Sequence, residues 1–249
     1  KASCSRWASR PPSKPVDDTE GKKSNMRQDV TRWWWVRHAP VINPSGAIYG
    51  RGDIEADTTD LEAYDALSEL LPDDPVWMHS SLLRIKQTAA AVMAARQRKQ
   101  PGFKEPDYVV EPAFMEQNFG DWQGQQRQDL RDQLKRQHPL WLAPAHQRPP
   151  AGESFIDMMA RVGHGIEEHN AANPGRDIVC FAHGGTIRSV IAYTMGIAPE
   201  IALGFQVDNL SVTELSYYPE TADGPAYWAV GGVNIPPVHG LQFNIMQMA

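Results

Sequence analysis

The sequence has few cysteines and no long apolar segment, and both shortages narrow what the protein can be. Cys4 and Cys180 are the only two cysteines among 249 residues, and they lie in a polar and an apolar setting, so a disulfide framework is not expected. No apolar run approaches the roughly 20 residues of a membrane-spanning helix, and no hydrophobic leader opens the chain. These features predict a cytoplasmic protein that does not bind a membrane.

Basic side chains are also scarce over most of the chain. The net charge is −6, and residues 1–30 contribute seven Lys and Arg against four Asp and Glu, which leaves −9 for residues 31–249. An acidic surface repels nucleic acid, so we expect no nucleic-acid partner. An anion bound by residues 31–249 must therefore be held by a few arginines gathered locally, which favours a small phosphorylated ligand.

Several familiar catalytic and cofactor motifs are absent from the sequence. It contains no P-loop, no G-x-G-x-x-G dinucleotide motif and no G-x-S-x-G serine-hydrolase motif. It also lacks H-E-x-x-H and C-x-x-C. We therefore expect no metal ion and no cofactor.

Two short apolar segments, by contrast, each end in a histidine. Residues 33–36 (WWWV) lead into Arg37 and His38, and residues 178–182 (IVCFA) lead into His183, after which glycines and a helical pattern follow. Such segments are typical of strands buried on both faces of a parallel sheet. Since open α/β sheets bind ligands at the carboxyl ends of their strands, the two histidines predict an anion site with a candidate nucleophile.

Two further side chains complete the candidate site. Ser80 and Ser81 open a predicted helix with Arg84 in its first turn, where the helix N-terminus and the guanidinium group both favour phosphate oxygens. Glu116 lies among Phe, Met and Trp, whose desolvation can raise the pKa of a carboxyl group, as a general acid requires. Asp121 is the competing carboxylate in the same segment.

The order of predicted elements indicates one α/β domain. Residues 1–30, rich in Ser, Pro and charged residues, are expected to form a disordered tail, and residues 31–249 the catalytic domain. Thr59 with Glu62 predicts a capping box. We expect a three-layer α/β/α sandwich with a mostly parallel central sheet. Besides the two histidine-bearing strands, the pattern predicts strands at 76–79, 108–110, 210–217 and 227–230, helices at 61–70, 81–99, 125–137 and 153–170, and an exposed proline-rich connection at 139–150.

Taken together, four segments resemble the histidine phosphatase superfamily, which includes phosphoglycerate mutases and alpha-ribazole phosphatases. They are residues 36–39 (VRHA), 80–89 (SSLLRIKQTA), 115–124 (MEQNFGDWQG) and 182–188 (AHGGTIR), with residues 152–154 (GES) resembling a further element. Ala39 stands where the family usually has glycine after the histidine. The resemblance covers most of residues 31–215 in the expected order.

The resemblance implies a phosphomonoesterase that acts on a small organic phosphate through a phosphohistidine on His38. It implies that Arg37, Arg84 and His183 bind the phosphoryl oxygens and that Glu116 donates a proton. It implies further substrate contacts from Arg51, Asn43 and Gly184. Two alternatives stay open, a phosphoglycerate mutase and a catalytically idle binding module of the same fold. The oligomeric state is not predicted.

Overall fold

The computed structural model describes residues 29–43, 45–135 and 138–240, which form one six-stranded sheet with helices on both faces. The strands are β1 (Thr31–Arg37), β2 (Val76–His79), β3 (Val109–Val110), β4 (Asp177–Ala182), β5 (Val212–Tyr218) and β6 (Tyr227–Ile235). The helices are α1 (Leu61–Leu70), α2 (Leu83–Lys99), α3 (Arg127–Gln133), α4 (Phe155–Ala172), α5 (Gly184–Met195) and α6 (Pro199–Ala202), with 3₁₀ turns at Pro112–Phe114 and Gly120–Trp122.

The strand order brings the two histidine-bearing strands together. The sheet runs β3-β2-β4-β1-β5-β6, with parallel pairing from β3 to β1 and antiparallel pairing of β5 with both its neighbours. The predicted mostly parallel sheet is confirmed. Arg37 lies opposite Ala182 at the carboxyl ends of β1 and β4. The residues that follow, His38 and His183, therefore emerge side by side at one edge of the sheet.

Side chains of β1 alternate between the two faces of the sheet, and both faces are covered. Trp33 and Trp35 stack with ring centroids 4.9 Å apart and join the core formed with α4 and α5. Trp34 and Val36 join the core formed with α1 and α2 on the other face. This double burial is the reason for the unbroken apolar run, and the predicted three-layer sandwich is confirmed.

The first helix begins one residue later than the predicted capping box required. Asp60 is the N-cap of α1 and accepts a hydrogen bond from the Ala63 amide at 3.1 Å. Thr59 instead donates its hydroxyl to Asp57 at 2.7 Å. The predicted Thr59–Glu62 box is wrong because Asp57 holds the threonine hydroxyl in the preceding turn.

Two predictions between residues 125 and 150 are wrong in part. Of the polar helix expected over 125–137, the helical part is α3, which ends before Lys135 adopts a left-handed φ of 53°; residues 136 and 137 lie outside the described residues. The connection over 139–150 is not exposed throughout, since Leu142 and Ala143 are buried in a small core with Phe119 and Trp122. The prolines correctly indicate a segment without regular structure, but its few apolar side chains are buried.

The predicted tail lies outside the described residues except for Asp29 and Val30, and Cys4 lies outside with it. The boundaries of the predicted catalytic domain therefore stay a prediction. Within the described ranges, no helix has both the length and the apolar character that crossing a bilayer requires.

Candidate active site

His38 is fixed at the end of β1 by its backbone and by one ring nitrogen. Its amide donates to the Ala182 carbonyl at 3.0 Å, and its own carbonyl accepts from the Asn209 side chain at 2.7 Å. The residue is 1% exposed, and Nδ1 lies 2.7 Å from the Ala39 carbonyl oxygen. Because a carbonyl only accepts, Nδ1 carries the proton and Nε2 keeps a free lone pair.

His183 caps helix α5 and lies beside His38, with ring centroids 5.4 Å apart. Its Nδ1 is 3.2 Å from Nη2 of Arg84, and its Nε2 is 2.7 Å from the Ser80 hydroxyl. A guanidinium group only donates, so Nδ1 accepts and the ring proton sits on Nε2, which donates to Ser80. Both rings are therefore held as neutral, opposite tautomers.

Two arginines surround the histidines with positive charge. Arg84 is fully buried, donates to the Gly50 and Gly52 carbonyls at 2.7 and 2.9 Å, and lies 4.9 Å above the Tyr49 ring. Arg37 donates to the Val207 carbonyl, while its buried Nε has no hydrogen-bond partner among the described residues. Buried N–H groups are rarely unpaired, so this arrangement is suited to receiving an anion.

The environment keeps both histidines uncharged near neutral pH. Burial, then the charges of Arg84 and Arg37, lower the pKa of His38 to about 3. Burial, then Arg84, holds the pKa of His183 well below its usual value. A neutral imidazole is the form that can act as a nucleophile, and His38 is in that form near neutral pH.

Glu116 is carried to the same edge by the irregular segment after the first 3₁₀ turn. One carboxylate oxygen accepts from the Gln117 amide at 3.0 Å, and the other lies 3.4 Å from the Gly185 amide in the first turn of α5. A methyl group at Gly185 would lie 2.3 Å from the carboxylate, so the glycine makes room for it. Asp121, the competing carboxylate, is exposed in the second 3₁₀ turn.

The predicted substrate-contacting residues differ in where the structure places them. Gly184 is the first residue of α5, directly after His183. Arg51 approaches Glu116, but it donates to the Glu116 carbonyl and to Glu153. Asn43 makes its hydrogen bonds within its own loop, to Ala47 and Ser45. Gly184 thus lies next to the two histidines, whereas the hydrogen bonds of Arg51 and Asn43 are to other residues of the protein.

Sequence reasoning assigned no role to several residues that contact the site. Ser80 and Arg188 lie within the quoted segments and Tyr49 lies two residues before Arg51, so their positions near predicted site residues were an available signal. Arg188 donates to the Gly184 carbonyl at 3.0 Å, one helical turn back. Arg161 has no comparable signal, because it lies inside an ordinary amphipathic helix. Within the described part of the chain, no three His, Cys, Asp or Glu side chains gather as metal ligands would.

The family of the chain follows from its match to a family profile. The profile described as the histidine phosphatase superfamily (branch 1) matches residues 33–225. The chain therefore belongs to this superfamily, as the four sequence segments suggested.

Named relatives and a solved structure agree with this membership. The adenosylcobalamin/alpha-ribazole phosphatase of Escherichia coli (strain K12) is similar at 26% identity over 182 residues, covering 72% of this chain and 86% of that protein. A bifunctional protein of Mycobacterium tuberculosis is 25% identical over 118 residues, covering 47% of this chain and 32% of that protein, so this chain spans about a third of its length. The mycobacterial glucosyl-3-phosphoglycerate phosphatase has the same fold, with a TM-score of 0.66 at 22% identity over 83% of this chain and 99% of that one.

Proposed function

We propose that this protein is a phosphomonoesterase that hydrolyses a small phosphorylated metabolite through a phosphohistidine on His38. The observation that carries the proposal is a pair of buried neutral histidines, 5.4 Å apart between ring centroids, in the field of Arg37 and Arg84. One of the two, His38, has an unshared lone pair on Nε2. A nucleophile surrounded by fixed positive charge is what transfer of a phosphoryl dianion requires.

We assign phosphate binding to the cationic and amide groups near His38, on which the charges of Arg84 and Arg37 act. Arg37 and Arg84 supply guanidinium donors, and Gly184 supplies an amide at the N-terminus of α5, where negative charge is favoured. After burial, the charge of Arg84 is the largest cause of the low pKa of His183, and a bound dianion would offset that charge. If Arg84 then turns to the phosphate, Nδ1 of His183 can take up a proton in its place and donate to a phosphoryl oxygen. The groups that bind the phosphoryl group therefore also orient it toward His38.

The reaction has two chemical steps. In the first, Nε2 of His38 forms a bond to phosphorus while the ester P–O bond breaks, and Glu116 gives its proton to the departing oxygen. In the second, a water attacks phosphorus and passes a proton to the Glu116 carboxylate, while the N–P bond breaks and inorganic phosphate leaves. The complete set of nucleophile, cations and carboxylate supports catalysis rather than ligand binding alone.

The proposal is tested by trapping the phosphoenzyme on the native protein and on two matched histidine variants. Native protein quenched during turnover should carry one phosphoryl group that is labile to acid and stable to base. His38→Asn should form none and lose turnover. His79→Asn is the control, because His79 is also buried at a strand end and its Nδ1 lies beside the carbonyl of the next residue. This variant should form the phosphoenzyme and turn over substrate within severalfold of the native protein. Activity should persist in EDTA.

Each outcome of that experiment bears on the proposal. An acid-stable phosphoryl group, or trapping that survives in His38→Asn, would overturn it. Transfer of the phosphoryl group to a second hydroxyl, with no release to water, would identify a mutase instead. Binding of a phosphate ester without any turnover would identify an idle binding module.

A further inference from the structure

Three segments that are distant in sequence meet at the backbone of Glu116. Nε of Arg51 donates to the Glu116 carbonyl at 3.0 Å, and Nη2 of Arg161 donates to the same oxygen at 3.1 Å. Arg51 belongs to the loop after β1, and Arg161 lies in the middle of α4. Two guanidinium groups thus hold a single carbonyl oxygen, whose position sets where the Glu116 side chain can point.

Glu153 joins the two arginines into one unit. Its Oε1 accepts from Nη2 of Arg51 at 2.9 Å and from Nη2 of Arg161 at 2.7 Å, and its Oε2 accepts from Nε of Arg161 at 2.9 Å. The side chain is 16% exposed. Charge-assisted bonds at such depth are stronger and more directional than surface ion pairs. The carboxylate therefore fixes both guanidinium groups in the orientation that reaches Glu116.

Both the carboxylate and the backbone of Glu153 also hydrogen-bond to the segment that carries Glu116. Oε1 accepts from the Asn118 amide at 2.9 Å, the Glu153 carbonyl accepts from the Gln117 side chain at 2.9 Å, and the Glu153 amide donates to the Asn118 carbonyl at 2.9 Å. Residue 154 then caps α4 through a complete capping box, which makes the start of this helix a firm base.

The electrostatics agree with a unit held together by charge. Burial by itself would raise the pKa of Glu153, yet the hydrogen bonds and charge of Arg161, the Asn118 amide and the charge of Arg51 hold it below its usual value. Glu153 is thus an anion at neutral pH. Without that anion, Arg51 and Arg161 would face each other across one carbonyl oxygen.

We infer that Glu153, together with Arg51 and Arg161, is a positioning unit that aims the proton donor Glu116 at the leaving oxygen. This inference rests on the proposed function, and it assigns Arg51 to the donor's support rather than to the substrate. Glu153 itself touches no reacting atom. Because Glu153 acts through Glu116, its loss should weaken only the part of catalysis that depends on proton donation by Glu116. The expected size is up to about 10² in rate, the cost of a small misplacement of a catalytic group.

Single-turnover phosphorylation by two aryl phosphates isolates that part. Phenolate is a basic leaving group, since the pKa of phenol is about 10, and it needs a proton as it leaves. The less basic p-nitrophenolate leaves without a proton donor. Glu116→Gln should slow phosphorylation by phenyl phosphate about 10²–10⁴-fold and by p-nitrophenyl phosphate far less. Glu153→Gln should show the same asymmetry at about 10–10². Adding Glu153→Gln to Glu116→Gln should cause no further loss.

Asp177→Asn is the matched control, because Asp177 also pairs with an arginine, Arg32, and its side chain is 18% exposed. It should slow neither ester. If Glu116→Gln is asymmetric and Glu153→Gln slows both esters equally, the inference is wrong while the proposed function stands. If Glu116→Gln is itself symmetric, the proposed acid is wrong. Should Glu153→Gln fail to fold, Arg161→Lys keeps the charge but loses the fork of donors, and equal slowing of both esters by that variant would also overturn the inference.

Discussion

At the residue scale, the site concentrates positive charge around two buried histidines, with the Glu116 carboxylate close enough to act on Arg84 and Arg188. Arg188 adds to Arg37 and Arg84, and burial followed by the charge of Arg37 lowers its pKa to about 10. Backbone carbonyls at Gly50, Gly52 and Val207 satisfy part of this charge. The two histidines are neutral in this environment. Because their pKa values differ between the folded and unfolded chain, the stability of the fold depends on pH.

Lowering the pH from 6.5 to 5 should destabilise the native protein through His38. The pKa of this ring falls from 6.5 to about 3 on folding, so the unfolded chain binds a proton over this window and the folded chain does not. Stability is thus lost as pH falls, by about 1 kcal/mol per pH unit for each such ring. Chemical denaturation of native protein and His38→Asn across the window should give a shallower slope for the variant.

The control for that measurement is His164→Asn. The His164 side chain is 72% exposed, so its removal should leave the slope of the native protein. Equal slopes for His38→Asn and the native protein would show that His38 gains a proton in the folded state.

At the scale of elements, the site depends on two loops whose backbones touch. The 3₁₀ turn that begins at Gly120 and the loop that ends at Gly152 are joined by hydrogen bonds from the Asp121 amide to Pro150 and from the Glu153 amide to Asn118. Gly120 has a left-handed φ of 48°. This contact places the start of α4 against the segment of Glu116.

Gly152→Ala should force these loops apart. A Cβ at this position would lie 2.4 Å from the Asn118 carbonyl and 2.9 Å from the Gly120 amide, both backbone atoms that cannot rotate away. We expect a loss of about 1–3 kcal/mol in the free energy of unfolding, measured by urea titration, with slower turnover of phenyl phosphate. Gly224→Ala, which meets nothing within 4 Å, should change stability by less than about 0.5 kcal/mol. Equal stability of the two variants would contradict the close contact.

At the scale of the whole molecule, one sheet supports both the core and the site. β1 and β4 lie at its centre, covered on both faces, and their carboxyl ends carry the histidines. Arg37 ends β1, Arg84 lies in the first turn of α2, and Glu116 comes from the irregular segment between the two 3₁₀ turns. His38, the proposed nucleophile, directly follows a central strand, whereas Glu116, the proposed proton donor, depends on loops.

Removing residues 1–25 should leave activity unchanged and the thermal midpoint within about 2 °C of the native value. That segment contains few apolar side chains, so the sequence predicts that it contributes little buried surface. Removal through Trp33 is the contrast, because it takes a fully buried side chain and part of the pairing of β1, and it should prevent folding. Calorimetry of the two deletion variants measures the thermal midpoint of each. A fall of several degrees in the midpoint of the shorter deletion would contradict the prediction.

The sequence by itself determined the layered fold and the principal candidates for the site. Unbroken apolar runs marked β1 and β4, because burial on both faces leaves no room for polar alternation. The polar residues that end each run, His38 and His183, followed from the rule that parallel strands present their carboxyl ends together. These signals are local, so they could be read one segment at a time.

Only the tertiary structure decided which of those candidates lie together. Asp121 and Glu116 are equivalent by composition, and only the packing of α5 places one of them beside Gly185. Arg51 matched a substrate-contacting pattern, but its partner Glu153 lies 102 residues away. Side-chain hydrogen bonds over such separations depend on loop paths that have no periodicity, so no local pattern encodes them.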